Sequence, residues 1–352
     1  MARYIRTNLA DAGLAAVIDS LISNIHQEEP ANIIIFLTYL SRDRSLIEKI
    51  LTAARSLFKE TKPCDLDGDI SFLNQVQDHI PQILMPDGDP IARRKEHLRS
   101  MDRQIEGREG QEDKDEAEVH RRQDAMNDLL AVNRAFKSMQ IMGQIARNFS
   151  GSLTGDLKLD LAKECFYVGF QALNAFFNVI KSDLDTVIAY VADIMDKDLK
   201  DMTLEERINT AKQIVFALME LLSLEIIRKI SAAIGSERLM PTYEDVQRVY
   251  NDIATEFCQM RIRMDHARQF PEKRVFDLMK RLKSNIFGQT LLRMLVVDHL
   301  YLFPRPYQLQ QKLCARLGIK PNKQMITGSA ERKQKKVRKK ELETGSRISI
   351  TK

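Results

Sequence analysis

The chain has 352 residues, of which 44% are apolar and 29% charged, with 14 glycines, 10 prolines and no tryptophan. So few glycines and prolines disfavour a fold of many short strands and tight turns, and the length allows one large core or two smaller ones. The net charge of +5 is uneven: residues 331–352 hold nine Lys/Arg against three Glu, leaving 45 basic and 46 acidic residues elsewhere, so the basic balance belongs to the C-terminal tail.

The first twenty residues carry arginines, but Asp11 and Asp19 interrupt them, and no apolar signal-peptide core follows. The best candidate for a membrane span, Cys165–Ile180, has sixteen uncharged residues and includes Gln171, Asn174 and Asn178. That is short of the roughly 18–20 a spanning helix needs, so no membrane helix is predicted. The four cysteines, Cys64, Cys165, Cys258 and Cys314, are far apart and form no CxxC pair. This disfavours a disulfide framework or a zinc site, suits a cytoplasmic protein, and makes Cys165 a small buried apolar residue.

In chain order, residues 8–29 show helical spacing through Leu14, Val17, Ile18, Leu21, Ile22 and Ile25. Pro30 fits the first turn of a second helix, which would hold the run Asn32–Leu40. Ile33–Leu37 has strand propensity but no obvious partner, so helix is favoured there. Residues 44–60 read as an amphipathic helix, 61–69 as a loop, and 70–84 as a short helix. Residues 86–125 are polar and mixed in charge. Within them Gly107–Glu118 has too little apolar content to offset ordering, which predicts a solvated linker, a mobile loop or a frayed helix.

The centre is a pair of apolar segments, Asn133–Phe149 and Asp156–Ile180, separated by Ser150–Gly155 with its two glycines. Apolar residues lie on nearly every side of the second, as in a helix buried on more than one face. Ser182–Met195 reads as another helix. Thr203 to Glu206 has the form of a capping box opening a long helix to Ile234, with Gly235 as its end. Further helices are predicted at about 242–266, 272–283, 285–302 and 306–317. Residues 331–340 contain seven basic residues in ten, and their self-repulsion predicts disorder. The expected architecture is all-α: an irregular multi-helix bundle or short helical array with a disordered basic C-terminal tail. The expected divisions are an N-terminal helical part (1–85), a polar linker (86–125), a main helical domain (126–320) and the tail (321–352).

Motifs for chemistry are absent. No glycine precedes a lysine, so the P-loop pattern GxxxxGK[ST] is missing; the nearest glycine pair, Gly151 and Gly155, puts Asp156 where the lysine should be. The pairs Asp265-His266 and Asp298-His299 do not converge, because neighbours on a helix point about 100° apart. His299, set among Leu295, Val296, Leu300 and Leu302, reads as a hydrogen-bonded core or edge histidine. His266 would close a helix, where a cation is favourable. Asp65, Asp67 and Asp69 lack the bidentate glutamate of a calcium loop and read as turn formers. No cofactor or metal is expected. In the tail, Arg332, Lys333, Lys335, Lys336, Arg338, Lys339 and Lys340 could meet nucleic acid or another anionic surface by counterion release, although no aromatics are interleaved for base stacking.

Several stretches are similar to one bacterial sequence type: IIIFLTYLSRDRSLIEKIL (33–51), PCDLDGDISFLNQ (63–75), NRAFKSMQIMGQIARNFSGSL (133–153), LDLAKECFYVGFQAL (159–173) and LRMLVVDHLYLFPRPYQLQQKLCARLGI (292–319). Together, over about residues 14–330, they resemble the helical C-terminal region of bacterial STAND-class NTPases of the AAA+ superclass. In that family an effector or P-loop domain precedes the helices, and many members act in sensing and phage defence. Because the P-loop, Walker B acid and sensor residues have no counterpart here, the resemblance carries over no catalytic residue. It implies a non-catalytic regulatory, sensor or interaction module working with a P-loop NTPase or effector chain, or by self-association. The alternatives are a C-terminal fragment or subunit of a split ATPase, a nucleic-acid-associated protein acting through the tail, and an enzyme whose site assembles only in space.

Overall fold

The computed structural model describes residues 12–41, 43–76, 82–85, 89–108, 123–198, 202–250, 252–267 and 269–321. They form fourteen α-helices and one short 3-10 turn, with a single isolated β-bridge between Leu84 and Lys320. The all-α expectation holds. The expected disordered tail lies outside the described residues.

The helices are α1 (Ala12–Ser23), α2 (Glu28–Ser41), α3 (Arg44–Ser56), α4 (Ser71–Val76), α5 (Pro90–Arg108), α6 (Gln123–Asn148) and α7 (Gly155–Ser182). They continue as α8 (Leu184–Asp198), α9 (Leu204–Ile234), α10 (Met240–Tyr250), α11 (Ile253–His266), α12 (Glu272–Arg281), α13 (Ile286–Leu302) and α14 (Tyr307–Leu317). The chain divides into two units. The first comprises residues 1–80 and 113–291, the second residues 81–112 and 292–352, with α13 divided between them at Leu291.

In the first unit α6, α7 and α9 pack on one another. Gly143 on α6 allows a close approach, since a Cβ there would run into the Ala233 carbonyl on α9. α7 buries Leu161, Cys165, Phe166, Phe170, Leu173 and Phe177, residues on several sides of the helix, as its all-round apolarity predicted. Phe287 meets both Phe177 and Phe216 edge-on, at 6.1 and 5.5 Å between ring centroids, the geometry aromatic quadrupoles prefer. A satellite cluster joins Ile188 and Ala192 of α8 to Ala211 and Val215 of α9.

Helix ends follow local chemistry. Thr203 and Glu206 form the predicted capping box, with Thr203 N donating to Glu206 Oε2 at 2.8 Å and Glu206 N donating to Thr203 Oγ1 at 3.3 Å. The expected continuous helix over 8–29 ends at Ser23. There Ser23 Oγ and Asn24 Nδ2 donate to the carbonyls of Asp19 and Ser20, side-chain bonds that compete with helix continuation. The expected helix over 242–266 is two helices, because Asp252 Oδ1 accepts from Thr255 N and caps a new start.

In the second unit the stretch expected to be a polar linker contains α5, a nineteen-residue helix. Tertiary partners supply what its composition lacks: the Arg93 guanidinium lies over the Tyr301 ring at 4.2 Å and Arg94 over the Phe303 ring at 4.4 Å. The remainder of the acidic stretch, residues 109–118, lies outside the described residues. α14 ends at Gly318 in the left-handed conformation (φ 68°), after which Met85 N donates to Lys320 O and Lys320 N to Ile83 O.

Candidate interaction surfaces

Residues that might have carried chemistry are committed to structure. The described residues contain no cluster of His, Cys, Asp or Glu able to hold a metal ion. All four thiols are buried and unpaired with one another. Burial pushes Cys64 up to about 12 and Cys314 to about 11, and raises Cys165 and Cys258 as well, which removes thiolate character at neutral pH.

The aspartates at 65 to 69 form a turn. Asp65 Oδ1 accepts from the amides of Asp67 and Asp69 at 2.9 and 3.0 Å, and Lys62 Nζ meets Asp69 Oδ1 at 2.6 Å. Leu66 takes a left-handed φ of 54° in this turn, and Asn285 Nδ2 donates to its carbonyl at 2.9 Å. Gln171 and Asn174, the polar interruptions of the apolar run, fasten the same loop. Gln171 Nε2 donates to Thr61 O and Asn174 Nδ2 to Lys62 O, both at 2.9 Å. An amide within an apolar helical run was the available signal, but its partners lie more than a hundred residues away.

His299 is fully buried, as its apolar neighbours predicted. Its ring stacks on Phe303 at 4.7 Å, and Nε2 accepts from Arg305 Nε at 3.1 Å. His266 ends α11 as expected, yet its imidazole is pushed below the ordinary value, chiefly by desolvation, so this terminus favours a neutral ring. Of the polar residues of the central helix, Arg147 donates to Ala232 O at 3.2 Å, whereas Gln140 and Asn148 are exposed.

Three surfaces remain. On α9, Ile214, Leu218 and Leu221 are 45%, 48% and 54% exposed, with exposed Ala217 between them. Their spacing of four and three residues places them on one stripe of the helix, and the exposed positions from Gln213 to Leu221 carry no charge. Between α2 and α6, Phe36, Tyr39, Ile145 and Phe149 line a small apolar groove of about 170 Å3. In the second unit, α14 buries Leu313, Cys314 and Leu317 and exposes Gln308, Gln311, Lys312, Ala315 and Arg316. The seven basic tail residues, Arg332, Lys333, Lys335, Lys336, Arg338, Lys339 and Lys340, lie outside the described residues.

Comparison with family models, curated proteins and solved structures finds no match.

Proposed function

We propose that this chain is a non-catalytic helical interaction module whose first unit docks a second protein along α9. The observation that carries the reading is the stripe Ile214, Leu218, Leu221. Three large aliphatic side chains stand about half exposed on a helix whose opposite side is fully buried at Met219, Ile227 and Ile230. A rigid helix with an uncharged aliphatic stripe at this spacing fits the apolar face of an amphipathic partner helix, with side chains of each interleaving. Contiguous exposed apolar surface of this kind marks interaction sites more than it serves a monomer. The regulatory version of the reading, in which the partner is a P-loop NTPase or effector chain, rests on the similarity of the quoted stretches to STAND-class helical regions.

The test is a photo-crosslinking amino acid placed at Leu218 in cells, with the more exposed Val249 on α10 as the control. Position 218 should crosslink one defined protein, and Ile214→Glu with Leu221→Glu should abolish the product while shifting unfolding free energy by no more than about 0.5 kcal/mol, as for other surface positions. Equal crosslinking from both positions would remove the docking role. Steady ATP hydrolysis by the purified chain alone would remove the non-catalytic one.

A further inference from the structure

The groove between α2 and α6 shares no residue with the α9 stripe. Its floor is the buried pair Ile145 and Phe149, one turn apart on α6. Ile35, Phe36 and Tyr39 form its α2 side, and Phe36 and Tyr39 stand 62% and 61% exposed. The Tyr39 ring is tilted at 42° to that of Phe149, with 5.9 Å between centroids. Single exposed apolar residues are ordinary on a protein surface. Two neighbouring open rings over an apolar floor form a contiguous patch, and such patches mark binding sites.

The α6 side of the groove is polar but uncharged. Gln144 and Asn148 are four residues apart and so lie along one edge. Among the described residues neither side-chain amide has a hydrogen-bond partner. Each therefore offers one carbonyl oxygen and two N–H donors to whatever enters. No charged side chain lines the groove. The lining spans residues 35–39 and 144–149, little more than one turn of each helix, or about 6–8 Å. One turn earlier on each helix the exposed residues are the polar Asn32 and Gln140.

We propose that this groove is a binding site for a small neutral aryl carboxamide. One aromatic ring sits on Ile145 and Phe149 beside Phe36 and Tyr39, and its carboxamide pairs with Gln144 and Asn148. Size, shape and polarity each contribute to this choice. The groove holds about 170 Å3, and an apolar cavity of about 150 Å3 takes one benzene-sized ring. Three of its five apolar residues are aromatic, which favours a ring over an aliphatic group of equal area. A carboxamide donates and accepts, as the two free amides do, so both can be satisfied at once. An anion or cation would lose hydration and meet no opposite charge. A peptide is matched less well, because the apolar surface stops after one turn and leaves no seat for a second anchor.

The experiment uses the full chain with 13C-labelled isoleucine δ1 methyl groups, read by NMR as benzamide is added. The Ile35 and Ile145 methyls should shift with a Kd on the order of 1 mM, the strength that so few ligand atoms reach in a half-open site. The methyl of Ile188, in the α8–α9 cluster, should not shift. Cyclohexanecarboxamide should bind about 5-fold more weakly, having no aromatic ring. Benzoate should bind at least roughly 10-fold more weakly, having an unmatched charge. Gln144→Leu with Asn148→Ala should weaken benzamide at least roughly 5-fold through lost hydrogen bonds. Phe36→Ala should weaken it about 3-fold through lost ring contact. These positions are exposed or half-buried, and an unchanged Ile188 signal verifies that the variants fold. The proposal is overturned if about 20 mM benzamide moves neither Ile35 nor Ile145. Equal affinity for benzoate, or for benzamide in the Gln144/Asn148 double variant, overturns it too, since the groove then selects nothing beyond apolarity. Binding of N-acetyl-L-phenylalanine amide at least roughly tenfold more tightly than benzamide overturns the small-ligand assignment in favour of a protein segment.

Discussion

The two units reach stability by different routes. The first is stabilised by area and close approach: long helices with fully buried Phe166, Phe177, Phe216 and Phe257, and a helix crossing made possible by Gly143. Its sequence segments hold 33 basic and 38 acidic residues, so it is mildly acidic. The second has 21 basic and 11 acidic residues. There arginines do structural work that apolar side chains do in the first, lying on aromatic rings and donating to a carbonyl and a histidine. Each guanidinium covers apolar surface with its planar face while its edge stays polar, so the same residues can order a small unit and leave it cationic.

The largest expected effect falls on the first unit's helix crossing. Gly143→Ala puts a methyl group against the backbone of Ala233, which cannot rotate away as a side chain can, and should cost about 3 kcal/mol, the upper end of overpacking penalties. Urea denaturation followed by circular dichroism measures it. A loss below half that value would mean the two helices separate easily and that the first unit is not limited by close approach.

A smaller effect probes the second unit. Phe303→Leu keeps an apolar side chain but removes the ring between Arg94 and His299, and should cost about 1–2 kcal/mol from the lost stacking and cation–π contacts. Hydrogen exchange should show the loss as faster exchange in α5 and α14. Unchanged exchange there would show that the arginine–aromatic contacts do not order this unit.

The smallest effect is one of pH. Glu164 of α7 is almost fully buried, and burial raises its pKa even though Arg55 Nε donates to it at 2.8 Å and opposes the shift. A carboxyl whose folded value exceeds its unfolded value binds protons more tightly when folded. Its charged form therefore works against stability at neutral pH, and that cost is relieved as the pH falls through the folded value toward about 4.3. The urea midpoint of the unaltered chain, relative to that of Glu164→Gln, should accordingly rise between pH 7 and pH 5. A relative fall would show that the Arg55 pair outweighs desolvation and that the first unit gains from its buried charge.

Much of the fold was legible in local chemistry. Leu46, Ile47, Ile50, Leu51 and Ala54 have helical spacing in the sequence and are the buried face of α3. Thr203 and Glu206 announce a capped helix start because both halves of the motif lie within four residues. The missed break at Asp252 was also local, an Asp three residues before Thr255, hidden by apolar periodicity continuing across it. The candidate surfaces were less legible. Tail residues Arg332 to Lys340 stood out by composition, whereas the face of α14 did not, because its cations are spaced at helical intervals and diluted by Gln and Leu.

What the sequence alone determined is the helical class and most helix positions, since periodicity, caps and helix-ending residues act over one or two turns. Tertiary structure decided the rest. It brought residues 82–108 together with 292–320 as one unit, although some two hundred residues separate them, and so turned a polar stretch into a braced helix. It gave Gln171 and Asn174 their loop carbonyls, and it selected which aliphatic residues of α9 stay outside. These outcomes depend on which faces find partners, and a helical pattern fixes the direction of a face without specifying what will cover it.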